Sequence, residues 1–398
     1  MVVIRHQEMA MRFEFSTATR IIFGAGTSGE VASLAAEMGS SAFVVTGHTN
    51  ERARPLLEQL NKKGIKCETF NVQGEPTASI AKAATEQARQ ARSDLVISIG
   101  GGSVLDTGKV IALMLTNRGE LEDYLEAVGL GKPLTCSSAP NIAIPTTAGT
   151  GAEVTRNAVL GVPEHGVKVS IRSSLMLPRL AVVDPVLTYS MPPSITASTG
   201  LDAMTQLMEA YVSNKANLLT DGICREGIRR AGRSLREAYE DGCNQSARED
   251  MAIASLFSGL ALANAGLGAV HGFAGPIGGM VSAPHGVICA RLLPYVMKAN
   301  VHALQTRATD SLGLARYDEI AQLLTRSAAA QASDGVTWVQ KLCETLRVPS
   351  LAEFGLKEQD FPTVVAKSKR SSSMKGNPIT LTDDELLQIL QKGCNESE

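Results

Sequence analysis

The stretch Leu95–Lys109, LVISIGGGSVLDTGK, decides how this chain is read. Leu95–Ile99 has the near-continuous apolar pattern of a strand buried on both faces. Gly100, Gly101, Gly102 and Ser103 follow at once, and Val104–Lys109 opens as a helix would. Glycines in such a turn let a phosphate approach the backbone, and the free N–H groups of the helix start attract the anion. A plain tight turn would use the same residues. The spacing is neither GxGxxG nor the GxxxxGK[ST] phosphate loop.

Outward from this unit the text keeps alternating. Arg20–Phe23, Ala42–Thr46 and Lys66–Val72 read as strands before it, with helices over Glu51–Lys63 and Ser79–Ala91. Asn141–Ile144 and Leu180–Val183 read as strands after it. Strands alternating with helices of this length imply a parallel sheet covered on both faces. The pattern changes after Asp184-Pro185. Helices are expected over Ser194–Ser213, Asp221–Tyr239, Glu249–Leu267, Gly286–Ala299, Arg316–Ala330, Val336–Thr345 and Asp383–Lys392, the last with Thr382 as N-cap. Pro185, Pro192 and Pro193 punctuate the change. The fold class expected is an α/β dinucleotide-binding domain over 1–187 plus an all-α domain over 188–398.

Composition agrees with two packed cores: 398 residues, 44% hydrophobic, 20% charged, only 4% aromatic and 36 glycines. A formal net charge of -2 gives no concentrated basic footprint for nucleic acid and no acidic tail. The seven cysteines, Cys67, Cys136, Cys224, Cys243, Cys289, Cys343 and Cys394, include no CxxC pair. They read as reduced thiols without a role, in a cytoplasmic protein. The opening MVVIRHQEMAMRF is too short and polar for a leader. Ser255–Val270 is the best membrane candidate, but Ser, Asn and Gly interrupt it, so a buried helix is expected and no membrane partner.

Two further stretches carry chemistry. Pro145-Thr146-Thr147-Ala148-Gly149-Thr150-Gly151-Ala152-Glu153 follows a strand, and its small residues and hydroxyls suit a nucleotide groove or an ordinary hydroxyl-rich loop. In TGLDAMTQ (Thr199–Gln206), Asp202 and Gln206 share one helix face. A buried unpaired acid there is costly, so a cation is a plausible partner, as is a surface position near a helix start. His271 and His285 lie fourteen residues apart in an apolar region broken by Pro276, Gly278, Gly279 and Pro284. A fold-back there would bring both imidazoles together, and two His with one acid suit zinc or iron(II). Satisfied core or cap histidines remain the alternative.

Taken together, these stretches resemble the iron-containing (group III) alcohol dehydrogenases. The resemblance runs from RIIFGAG (Arg20–Gly26) through SIGGGSVLDTGK, IPTTAGTGAEVT, AVVDP, TASTGLDAMTQLMEAYVS and GLGAVH…PHG to GNPITLTDDEL (Gly376–Leu387). It implies a dinucleotide domain and a helical domain, with cofactor and metal meeting in the cleft between them. It implies that Gly100, Gly101, Gly102 and Ser103 hold the pyrophosphate, and that Thr146 and Thr147 line the nucleotide and nicotinamide. Lys168 resembles the family's ribose-contacting lysine. Asp106, Thr150 and Gly47 join this cofactor set. Asp202, His271 and His285 match catalytic metal ligands, for Fe2+ or Zn2+.

Two positions depart from the family pattern. Gln206 stands where a fourth ligand, a His, is usual, and Gly275 stands where a His is thought to assist proton movement. A three-ligand site completed by water or Gln206 is therefore expected. Gly47 stands where NAD-preferring relatives carry Asp, and His48, Arg52 and Arg54 are close by, which leans toward NADP over NAD. The activity implied is metal-assisted hydride transfer between a nicotinamide and a small alcohol or aldehyde, in a homo-oligomer. The rival expectations are a metal-independent reductase resembling the maleylacetate reductases, a dehydroquinate-synthase-like lyase, and a cofactor binder that has lost catalysis.

Overall fold

The computed structural model describes residues 12–126 and 128–395. Most of the N-terminal stretch considered above as a leader, residues 1–11, lies outside them. The first half runs β1 (Arg20–Phe23), α1 (Val31–Ala36), β2 (Ser41–Thr46), α2 (Arg54–Lys62), β3 (Lys66–Asn71), α3 (Ala78–Gln90), β4 (Leu95–Gly100), α4 (Gly102–Thr116), β5 (Asn141–Pro145), β6 (Asn157–Val162), β7 (Val167–Arg172) and β8 (Leu180–Val183). Six strands form one sheet, ordered β1-β8-β5-β4-β2-β3, with every neighbouring pair parallel.

β4 is buried at every position, as a central strand with both faces covered must be. Its side chains alternate between the faces. Ile97 and Ile99 join Val44, Ile142 and Val182 against Val31, Ala35, Leu56 and Leu60 of α1 and α2. Val96 joins Phe43 and Val45 against Ala84, Ala88, Ile111 and Ala112 of α3 and α4. The chain steps from β2 out to β3, then returns past β2 to β4, so strand order reverses between β2 and β4. Ligands of such sheets settle outside the strand ends at that reversal. Thr46 pairs with Ile99 there, so Gly47 and Gly100 emerge next to one another.

The sequence pattern does not announce one feature of this half. β6 and β7 form an antiparallel hairpin. Ala158, Leu160, Val169 and Ile171 cover Val110, Leu113 and Met114 of α4. The hairpin's period of two extends over only six residues in each strand, within text dominated by βα units.

The second half is helical: α5 (Pro193–Val212), α6 (Leu218–Glu240), α7 (Gln245–Ala265), α8 (Ala269–Met280), α9 (His285–Arg307), α10 (Leu312–Thr325), α11 (Ala332–Thr345), α12 (Phe361–Lys369) and α13 (Asp383–Cys394). α5 threads the centre, and every residue from Gly200 to Val212 is buried. Leu201, Met204, Leu207, Met208 and Tyr211 fill the core. Asp202, Gln206 and Glu209 are buried with them. Thr382 caps α13 as expected, accepting from Glu385 N at 3.2 Å.

Several expected boundaries shift. Pro276 does not break the text between the histidines but lies inside α8. Its ring forfeits one backbone bond, and the buried Phe273, Ala274 and Ile277 hold the helix through it. α9 likewise passes Pro294 and reaches Arg307. α10 stops at Thr325 because Arg326 turns left-handed at φ 58°. α12 is an addition to the expected helices. Gly266, at φ +68°, ends α7, and α8 leaves at 98° to it. Among the described residues no single helix is long and apolar enough to cross a membrane, and this bent pair, which meets that test only jointly, contributes its apolar side chains to the core.

The two halves meet backbone against backbone. Gly151, at φ +59°, faces Gly259 of α7 so closely that a Cβ on Gly259 would lie 2.2 Å from the Gly151 carbonyl oxygen. Ser258 Oγ donates to Gly149 O at 3.1 Å beside it.

Candidate active site

At the nucleotide end the working surface is backbone. Gly101 precedes the first turn of α4, and no side chain caps that turn. Its N–H groups are thus left for an anion, and the helix dipole favours one. The hydroxyl-rich loop lies directly against the turn. A Cβ on Gly101 would meet Thr147 Oγ1 at 3.4 Å, and one on Gly102 would meet Thr150 Cγ2 at 3.0 Å. Thr146 N donates to Gly100 O at 2.9 Å and is buried. Gly47 has open space where a side chain would stand.

Other residues of the expected cofactor set have protein partners. Both oxygens of Asp106 are engaged, one by Lys109 Nζ at 2.8 Å and one by Val159 N at 2.9 Å, tying α4 to the hairpin. Lys109 is wholly buried and also donates to Ala152 O and Thr155 Oγ1, so it braces the loop rather than facing a groove. Lys168 pairs with Glu75 at 3.1 Å and lies against Gly278 of α8.

At the helical end the structure brings Asp202, His271 and His285 together and adds Cys289. One ligand atom from each lies within 4.8 Å of all the others. Asp202 comes from α5, His271 from the first turn of α8, and His285 and Cys289 from successive turns of α9. His271 Nε2 is 3.3 Å and His285 Nε2 3.7 Å from Asp202 Oδ1. Cys289 Sγ is 3.6 Å from each of these nitrogens. The group is buried except at His285, whose side chain is 37% exposed and leaves one side open.

Hydrogen bonding gives this cluster its direction. Glu209 lies seven residues after Asp202, on the same face of α5. Its carboxylate accepts from Val270 N at 2.6 Å and from His271 Nδ1 at 2.7 Å. Nδ1 therefore carries a proton, and in the neutral ring Nε2 presents a lone pair. That lone pair faces Asp202 Oδ1, an atom with no hydrogen-bond donor. Gln206 Nε2 donates to the other oxygen, Oδ2, at 3.4 Å, and Gln206 Oε1 is also buried without a partner.

Lone pairs converging in a buried space require a positive centre. Burial disfavours charge on both imidazoles, yet their contacts with Cys289 and Asp202 hold both above the usual histidine value, with Glu209 adding to the effect on His271, which lies well above it. Burial likewise works against the Asp202 carboxylate, but His285 and His271 keep it below the ordinary range. Protons on the two imidazoles are one such centre, and a single divalent cation reached by all four atoms is another. The donor set of nitrogen, oxygen and sulfur suits zinc or iron(II), so the residues present fit a metal ion.

Two members of this site, Glu209 and Cys289, escape a reading of the sequence. The signals were spacing: seven residues from Asp202 on one helix, and four from His285 on another. Another buried acid, Glu153, sits where the halves join, and burial pushes its carboxyl up to about 7.

Comparison with known proteins bears on these features together. The family model described as "Iron-containing alcohol dehydrogenase" matches residues 18–185, and that of the "Fe-containing alcohol dehydrogenase family, C-terminal" matches 196–394. The chain is 35% identical to alcohol dehydrogenase 4 of Saccharomyces cerevisiae (strain YJM789), over 85% of this chain and 86% of that protein. It is 36% identical to the 1,3-propanediol dehydrogenase of Klebsiella pneumoniae, over 84% and 85% of the two chains. Its fold superposes on a crystal structure of 1,3-propanediol oxidoreductase with a TM-score of 0.89 at 32% identity, covering 96% of this chain and 100% of that one.

Proposed function

The chain belongs to the iron-containing alcohol dehydrogenase family and is an NAD(P)-dependent alcohol oxidoreductase, and from that premise we propose that Asp202, His271 and His285 hold one divalent ion, Fe2+ or Zn2+, beside the nicotinamide. The observation that carries this reading is Asp202 Oδ1, buried without a donor and faced by two imidazole nitrogens. The ion would supply Lewis acidity, stabilising the alkoxide of a small alcohol or polarising the carbonyl of a small aldehyde.

The chain's own residues do the rest. Glu209 holds the His271 ring by its Nδ1 proton and keeps Nε2 aimed inward. Gln206 holds Asp202 by Oδ2, leaving Oδ1 for the ion. Gly100–Ser103 receive the pyrophosphate, Thr146, Thr147 and Thr150 flank the nucleotide, and Lys168 stands over the ribose. Asp106 acts indirectly, by fixing α4 to the hairpin. Thr199 of α5 packs on Gly149, one turn before Asp202, which keeps ligand and nucleotide loop in register. Holding hydride donor and acceptor in contact is the protein's main contribution to rate. Gly275 offers no proton-carrying side chain, and the open space beside it admits water for that task.

NADP is the proposed preference, supported by the unfilled space at Gly47 and the nearby Arg54; Arg52 is held by Ser190 Oγ at 2.8 Å. A division into 1–187 and 188–398, a homo-oligomeric state and a cytoplasmic location belong to the same proposal. The first is supported by the change from sheet to helices between Val183 and Pro193, and the last by seven free cysteines.

The test is to replace His271 and His285 singly by Ala. NADH and NADPH oxidation is then followed with small aldehydes, with and without added zinc or iron. Metal content should be lost and turnover should fall by roughly a thousandfold or more, as loss of several kcal/mol of charge stabilisation requires. Unchanged turnover in either variant overturns the metal reading and favours a metal-independent reductase.

A further inference from the structure

We propose that Cys289 is a fourth protein ligand of this ion, binding through its thiolate and filling the place that Gln206 leaves; this rests on the metal reading above. Cys289 is wholly buried on α9, one turn beyond His285, and its sulfur is 3.6 Å from both ligand nitrogens. Around tetrahedral zinc, nitrogen and oxygen ligands at about 2.0 Å lie about 3.3 Å apart, and a sulfur at about 2.3 Å lies about 3.5 Å from them. Four edges of the group, 3.3 and 3.7 Å from Asp202 Oδ1 and 3.6 Å twice from the sulfur, lie close to those of such a polyhedron, and every pair of ligand atoms is within 4.8 Å. Gln206 is turned to the far oxygen of Asp202 and carries no charge.

Charge points the same way. Among the groups that would touch the ion, Asp202 cancels one of its two charges and a thiolate would cancel the other; the Glu209 carboxylate lies one residue further out, behind His271. On binding, the thiol proton passes to solvent, the sulfur lone pair forms the bond, and no oxidation state changes. The partly exposed side at His285 would leave room for a substrate oxygen beside the four residues. A thiolate also makes the donor set softer, favouring zinc over harder ions.

The experiment is to load metal-free full-length protein with Co2+ and record its absorption, alongside Cys289→Ser treated in the same way. A near-ultraviolet thiolate-to-cobalt charge-transfer band is expected at one ion per chain in the wild type and should be absent in the variant. Cobalt affinity in Cys289→Ser should fall by more than the roughly 10–100-fold typical of losing an outer partner of a ligand. Stoichiometric cobalt without the band overturns the assignment of Cys289 and leaves the three-ligand site intact, as does a band that persists in the variant. No stoichiometric cobalt in the wild type overturns the metal reading itself. If Cys289→Ser does not fold, X-ray absorption of the zinc-loaded wild type decides, with one sulfur at about 2.3 Å supporting the proposal and none overturning it.

Discussion

The turn at Gly100–Ser103 and the cluster at Asp202, His271, His285 and Cys289, proposed above as seats for a pyrophosphate and a metal ion, are built of opposite materials. The turn uses backbone N–H groups from one contiguous strand–turn–helix unit, and the absence of side chains is what shapes it. The cluster uses side chains from three helices, and two of them, Asp202 and His271, are held by further residues. A backbone site tolerates changes nearby but not added bulk. A side-chain site tolerates bulk at its edges but not the loss of one supporting hydrogen bond. The following variants test that contrast, beginning with the largest effect.

The seam between the regions carries a buried carboxyl, that of Glu153. Glu153 borders a cavity of about 10 Å3 lined with Thr147, Asp184 and Ser255, and its Oε2 has no partner. Burial raises its carboxyl from 4.5 to about 7. A carboxyl with a higher native than unfolded value keeps its proton better in the folded chain, so its contribution to stability falls as pH rises from about 4.5 through about 7 and then levels off. The full difference is about 3 kcal/mol. Glu153→Gln should remove it, so the variant should gain on the wild type in thermal unfolding between pH 5 and pH 8. A pH-independent difference would refute the burial argument.

Next is the aiming residue of the side-chain site. Glu209→Gln should weaken metal binding by roughly 10–100-fold while leaving nucleotide affinity unchanged, because it frees the His271 ring without touching the turn. Equal losses of metal and nucleotide affinity would show that the two ends are not separable. The smallest effect belongs to the backbone site. Gly101→Val would crowd Thr147, whose Oγ1 would lie 3.4 Å from the new Cβ before the branched methyl groups are added. A strain of about 1–2 kcal/mol corresponds to roughly a tenfold rise in the Kd of NAD(P)H, with metal content unchanged.

The same contrast explains what the sequence could reveal. LVISIGGGS announces its strand and turn because every residue that shapes them is adjacent. The sheet is legible for the same reason, through buried runs such as β2 and β4. The cluster spans 202 to 289 and depends on α5, α8 and α9 meeting, which no periodicity encodes. Its two histidines and one aspartate are reached through long motifs resembling a family. Cys289 reads as an ordinary thiol because a cysteine four residues after a histidine gains meaning only once that histidine is known to face a ligand. Glu209 escapes notice because its spacing from Asp202 marks a shared face without saying that the face is buried. The β6–β7 hairpin stays hidden because its short alternation, half-buried on one side, lies inside βα text.

The central claim is that one divalent ion is held by Asp202, His271 and His285. Anomalous diffraction at the zinc edge, from crystals of the zinc-loaded protein, tests it most directly. The account predicts a single strong peak at roughly 2.0–2.2 Å from Asp202 Oδ1, His271 Nε2 and His285 Nε2. A map with no peak among these three atoms, from protein that still reduces aldehydes with NAD(P)H, would contradict it.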